Sequence, residues 1–111
     1  GRFGVRVNSV APGWVETSGF ETYDGKTADW FRSLDKCVPL RRLGREAEVA
    51  AAIVFLLSPA AAYITGGCIR VDGGAPNAPL NYPLPDGPGN RHFAGFHRDH
   101  LDRKAAKADD E

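Results

Sequence analysis

The stretch that most constrains this chain is residues 5–17, V-R-V-N-S-V-A-P-G-W-V-E-T. Its first half alternates like a strand: Val5, Val7 and Ser9 fall on one face, Arg6, Asn8 and Val10 on the other. β-branched residues dominate it, and Pro12-Gly13 stops it abruptly. The pattern predicts a strand over residues 5–11. A strand that ends in Pro-Gly presents free backbone groups just past its carboxyl end, and in open α/β sheets that is where ligands bind. An ordinary core strand followed by a turn fits the same residues.

Two further elements are legible downstream. Residues 46–58 predict a helix, with Glu46 and Glu48 in its first turn, where the helix dipole favours negative charge, and Pro59 as its stop. Every residue of 49–57 is apolar, so the helix has no side suited to water. Its period sets Val49, Ile53, Leu56 and Leu57 on one face, expected over the sheet, with Ala50, Ala51 and Val54 opposite, expected against a partner. Residues 64–67 read as a turn and residues 68–71 as a short strand. Asp72 before Gly73-Gly74 reads as a turn former through its side-chain hydrogen bonding rather than as a catalytic or metal carboxylate. Between these blocks, residues 28–37 predict a helix with Trp30, Phe31 and Leu34 on one side.

Three blocks together resemble the short-chain dehydrogenase/reductase family: V-R-V-N-S-V-A-P-G-W-V-E-T; P-L-R-R-L-G-R-E-A-E-V-A at residues 39–50; and the run from Phe55 through Y-I-T-G-G-C-I-R-V-D-G-G at residues 63–74. They occur in the family's order and cover residues 1 to about 75. The one departure is Glu46, where the family usually has Pro. The resemblance implies an α/β fold, the C-terminal part of a Rossmann-type doubly wound parallel sheet, incomplete in this chain. It implies an NAD(P)-dependent oxidoreductase moving hydride between nicotinamide and a carbonyl, alcohol or enoyl substrate. It places Pro12, Gly13, Val15 and Thr17 at the cofactor, the Val15 backbone and Thr17 hydroxyl facing the carboxamide and pyrophosphate. A carboxamide needs one donor and one acceptor to fix the ring face it presents. Thr17 fits a helix N-cap equally in residue type. The same resemblance makes residues 18–38 a substrate lid. Its Phe20, Tyr23, Trp30 and Phe31 either line a site for a small apolar substrate or pack the lid onto the body.

Two family features are absent from the sequence. No G-x-x-x-G-x-G occurs, the turn whose glycines let a pyrophosphate approach backbone and helix N-terminus. Nor is there a Tyr-x-x-x-Lys: Tyr23 and Lys26 are three apart, Tyr63 is followed four residues on by Gly67, and Tyr82 by Asp86. The expectation is a chain cut just after the family's catalytic helix, with no catalytic residue of its own. Residues 1–4 then read as the tail of that helix, capped by Gly4. The alternative is a truncated, non-catalytic interaction or oligomerisation module. Family dimers and tetramers use helix 46–58 and strand 68–71 as an interface, so a homo-oligomer is expected.

Composition limits the remaining classes. Among 111 residues, 14 basic and 14 acidic side chains balance, which gives no electrostatic case for nucleic acid or an anionic membrane. Cys37 and Cys68 form no C-x-x-C and read as reduced thiols in a cytoplasmic protein. Residues 76–111 form a second region. Pro76, Pro79, Pro83, Pro85 and Pro88 forbid persistent helix or ladder, so this extension is expected to run over the surface, held by Leu80, Tyr82 and Leu84. Its Gly-Phe-His-Arg segment resembles citronellol-dehydrogenase-like members and, less closely, peroxisomal enoyl-CoA reductases. His92, His97 and His100 invite a metal, but the flanking arginines and lack of Cys or Glu-x-x-His argue for none. Residues 101–111 read as a charged, disordered tail.

Overall fold

The computed structural model describes residues 1–77 and 84–93. Strand β1 (Ser9–Pro12) pairs in parallel with β4 (Cys68–Val71), Ser9 opposite Cys68 and Pro12 opposite Val71. A second parallel pair joins β2 (Val15–Glu16) to β3 (Gly44–Arg45). Helix α1 (Gly25–Ser33) and the 3-10 turns Ser18–Thr22 and Leu34–Cys37 connect β2 to β3, and helix α2 (Glu46–Leu57) packs across both pairs. Parallel strands require such long crossovers, and the result is α/β, as the sequence leads one to expect. The buried core is small: Ala28, Leu34, Val38, Ala47, Leu56 and Ala61. Among the described residues no helix is long and apolar enough to cross a membrane.

The strand expected over residues 5–11 is shorter and starts later, at Ser9. Its alternation does persist in exposure, but inverted in polarity. Val5 and Val7 are 60% and 69% exposed, while Arg6 and Asn8 turn inward. The cause lies in the neighbouring segment, a turn through Gly66 (φ 75°) that offers carbonyls instead of a ladder. Asn8 Nδ2 donates to Ile64 O at 2.9 Å and Asn8 Oδ1 accepts from Gly67 N at 3.0 Å. Arg6 donates to Ile64 O at 3.1 Å and to Leu56 O at 2.7 Å, placing its charge at the C-terminus of α2. Residues 1–4 form a turn, not a helix tail, closed by Gly4 N–H to Gly1 O at 3.0 Å, with Gly4 at φ 78°.

Helix α1 begins three residues before the expected Ala28, because Asp24 caps it: Thr27 N–H donates to Asp24 Oδ1 at 3.1 Å. Ala28 and Leu34 face the body, whereas Trp30, expected on the same side, is 57% exposed. Helix α2 matches its expected span, with Ser58 as its C-cap. Its faces do not match. Leu56 is buried, but Ile53 and Leu57, expected over the sheet, are exposed, as are Val54 and Phe55. The two buried residues Ala47 and Leu56 lie nine apart, half a turn out of phase, so α2 is covered from different sides at its two ends.

Strand β4 and the Asp72 turn form as expected. Gly74 N–H donates to Asp72 Oδ1 at 2.8 Å, and Arg70 Nε pairs with Asp72 Oδ2 at 2.7 Å. The Arg70 hydrogen bond, then the Gly74 amide, hold the Asp72 carboxyl below its ordinary range. Cys37 and Cys68 are not joined in a disulfide.

Candidate functional site

Pro12 ends β1, Gly13 begins the turn beyond it, Val15 opens β2 and Thr17 follows, so the four lie at the carboxyl end of β1, the crevice position of an open parallel sheet. Gly13 is demanded by closeness: a Cβ there would lie 2.7 Å from Asp72 Cα, and Gly13 N–H donates to Val71 O at 2.9 Å. The turn is thereby sealed against the end of β4. Next, Gly44 N–H donates to Trp14 O at 2.8 Å. In the parallel register of Val15 with Gly44, the residues flanking Val15 serve the ladder, so the N–H and C=O of Val15 itself project from the opposite edge. One backbone donor and one acceptor on a single residue are what a carboxamide requires. The chemistry of these groups fits a nicotinamide.

Thr17 stands at the N-cap position of the 3-10 turn Ser18–Thr22, but its hydroxyl makes no capping bond; its carbonyl accepts from Phe20 N at 3.1 Å. Of the two roles open to Thr17, the side-chain cap is the one this geometry leaves unused.

The lid aromatics cluster around Phe31. Tyr23 stacks on it at 5.5 Å with the ring planes 14° apart, Phe20 lies at 5.4 Å, Trp30 at 4.9 Å and Trp14 at 6.4 Å. Trp14 belongs to the turn, so the cluster bridges turn and lid. A cleft of about 490 Å³ opens beside it, lined by Trp14, Leu40, Gly44 and the Asp72-Gly73-Gly74 turn, and its lining omits Pro12, Gly13, Val15 and Thr17.

A polar network missed by sequence reasoning lies behind β3. Arg42 grips Glu48, with Nη1 to Oε2 at 2.8 Å; Glu48 also accepts from Arg45 N at 2.9 Å and Phe93 N at 3.2 Å. Partial burial raises the Glu48 carboxyl, but these hydrogen bonds, Arg42 first, outweigh it and hold the group below its ordinary value. The spacing of Arg42 and Glu48 either side of Gly44 was the available signal. Among the described residues no group of His, Cys, Asp and Glu could hold a metal ion; His97 and His100 lie outside them.

A strand-end turn sealed against a parallel neighbour, followed by a crossover that carries an aromatic cluster, is the architecture of a Rossmann-type α/β protein. The family profile described as Enoyl-(Acyl carrier protein) reductase matches residues 1–76. The chain belongs to the short-chain dehydrogenase/reductase family of oxidoreductases. It is 43% identical over 83 residues to an uncharacterized oxidoreductase of Mycobacterium tuberculosis (strain CDC 1551 / Oshkosh), covering 74% of this chain and 31% of that protein. It is 44% identical over 79 residues to the peroxisomal 2,4-dienoyl-CoA reductase of Danio rerio, covering 68% of this chain and 25% of that protein. A short-chain dehydrogenase family protein from Francisella tularensis superposes with a TM-score of 0.59 at 32% identity, over 68% of this chain and 35% of that one. The chain thus spans under a third of the curated relatives' length.

Proposed function

We propose that this chain supplies the cofactor-facing turn and the substrate lid of an NAD(P)-dependent oxidoreductase acting on a small apolar carbonyl, alcohol or enoyl substrate. The observation that carries the reading is the Val15 donor–acceptor pair, standing off its ladder at the carboxyl end of β1. Val15 orients the carboxamide, Thr17 donates its hydroxyl to the same ligand, and Pro12-Gly13 sets the turn. The bound nicotinamide would supply the hydride chemistry. Residues 1–75 form the C-terminal part of the Rossmann domain and residues 76–111 its extension, in a cytoplasmic protein. The lid's ring cluster and the dienoyl-CoA reductase relative favour the enoyl-CoA-reductase-like subtype over the citronellol-dehydrogenase-like one.

The proton-transfer residues and the Gly-rich turn would come from sequence outside this chain. The 111 residues alone should therefore show no NAD- or NADP-dependent turnover, and the coding sequence upstream of Gly1 should carry an in-frame Tyr-x-x-x-Lys. A stop codon immediately upstream overturns the enzyme reading.

The second reading, a non-catalytic module, is favoured by one observation: Ile53, Val54, Phe55 and Leu57 leave an apolar flank of α2 uncovered. Either reading places helix 46–58 and strand 68–71 in a homo-oligomer. Val54→Glu, followed by sedimentation and circular dichroism, should yield a folded protein of lower mass; unchanged mass counts against assembly through this flank.

A further inference from the structure

Arg41 is the one residue other than glycine with positive φ among the described residues, at 60°. An arginine occupies that region only where its surroundings hold it there. Its N–H donates to Val38 O at 2.8 Å, closing the turn that leaves the lid. Its side chain is only 14% exposed, and three groups hold it. Nη1 donates to Lys36 O at 2.7 Å and to Leu84 O at 3.1 Å, while Nη2 pairs with Asp86 at 3.0 Å. Leu84 N–H closes the arrangement by donating to the same Lys36 carbonyl at 3.1 Å.

Lys36 belongs to the 3-10 turn Leu34–Cys37, the C-terminal end of the lid. One guanidinium therefore ties the lid's last turn to residues 84–86 of the extension. From there the extension runs on to Asn90, whose Oδ1 accepts from Arg42 Nε at 2.8 Å, and to Phe93, whose N–H reaches Glu48. The planar fork of arginine can serve two carbonyls and a carboxylate at once; a lysine ammonium at the same place lacks that fixed geometry.

We infer that Arg41 is a positioning residue through which the C-terminal extension fixes the substrate lid. Its part in substrate capture rests on the function proposed above, while the clamp itself is a property of the chain alone. The left-handed backbone aims the guanidinium back under the lid, and the lid's exit is set by the extension as much as by the body. Phe31 and its ring partners ride on that exit, since Leu34 and the Lys36 turn follow α1 directly.

Hydrogen–deuterium exchange of the 111-residue chain, without cofactor or substrate, tests the clamp independently of any activity. Arg41→Gly relieves the backbone and removes the fork; Leu84→Pro removes the N–H that reaches Lys36, along with the leucine side chain, and keeps the carbonyl that Arg41 bonds. Both should speed exchange in residues 25–37 about tenfold while amides in residues 50–57 keep their wild-type rates. Arg41→Lys should restore part of the protection. Unchanged lid exchange in a folded Arg41→Gly variant overturns the inference, as does a lid already unprotected in the wild type. Should Arg41→Gly also expose α2, Arg41→Lys decides, since it keeps the charge and loses the fork: exchange faster than wild type and confined to the lid supports the clamp, and exchange at the wild-type rate overturns it. Failure here leaves the role of Val15 and Thr17 untouched.

Discussion

The body of the chain and the extension that lies along it are held by different chemistry. In the body, parallel ladders, glycines at close approach and a few buried alkyl groups do the work: Gly13 against Asp72, Ala47 at the start of α2 and Leu56 near its end. In residues 84–93, arginine side chains reach out of the body and bond backbone carbonyls and carboxylates of the extension. The first kind of contact is short-ranged, steric and indifferent to salt. The second is electrostatic, partly exposed and open to pH. Family pattern therefore speaks clearly for the first region and hardly at all for the second.

The contrast is broken most forcefully from the body's side. Gly13→Ala sets a Cβ within 2.7 Å of Asp72 Cα and should lower stability by about 2–3 kcal/mol, read as a shift of the urea midpoint. The extension should come away with everything else, because its anchors are on the body. An unshifted midpoint would mean that the turn and β4 separate more easily than their packing implies.

A smaller change should detach the extension alone. Glu48→Gln weakens a charged acceptor shared by Arg42, Arg45 and Phe93, a local loss of about 1.5 kcal/mol. The Phe93 amide should exchange faster while the midpoint of the body hardly moves. pH offers the same lever. The folded Glu48 carboxyl lies below its ordinary 4.5, so its stabilisation is complete above that value and is lost as pH falls through the depressed one. Acid should thus loosen residues 91–93 below about pH 4.5, and Glu48→Gln should flatten that dependence.

Asp86→Asn is expected to have the smallest effect. The carboxylate is fully exposed where it meets Arg41, and such pairs contribute under about 1 kcal/mol. Exchange at Leu84 should change less than twofold, and a larger change would show that the ion pair, not the Lys36 and Leu84 carbonyls, keeps Arg41 in place.

Legibility in the sequence followed the same division. Strand 68–71, the span of α2, the Asp72 turn and the Pro-Gly end of β1 were readable because propensity, punctuation and packing agree there. Residues 5–8 misled because alternation fits a strand whether or not a ladder partner lies beside it; Arg6 and Asn8 bond the Leu56 and Ile64 carbonyls instead. The faces of α2 were unreadable for a related reason, since a run without polar residues carries no phase. The site's turn was legible as a place, and its Val15 donor–acceptor pair became visible only with the register against Gly44. Nothing in the sequence marked Arg41: two of its three partners are main-chain oxygens, which no residue type announces.

The pairing of β1 with β4 also has a temporal side. Asn8 meets Gly67 across 59 residues, and the ladder of Ser9 with Cys68 begins at the same junction. No hairpin can bring those strands together, so the loop-closure entropy is paid before any ladder bond returns it. On a ribosome, β1 would leave the exit tunnel long before its neighbour was synthesised. Its Val10 would meet water, or another nascent chain, throughout that delay. A slow refolding phase is the kinetic signature expected of such a topology, and it would be set by connectivity rather than by any ligand.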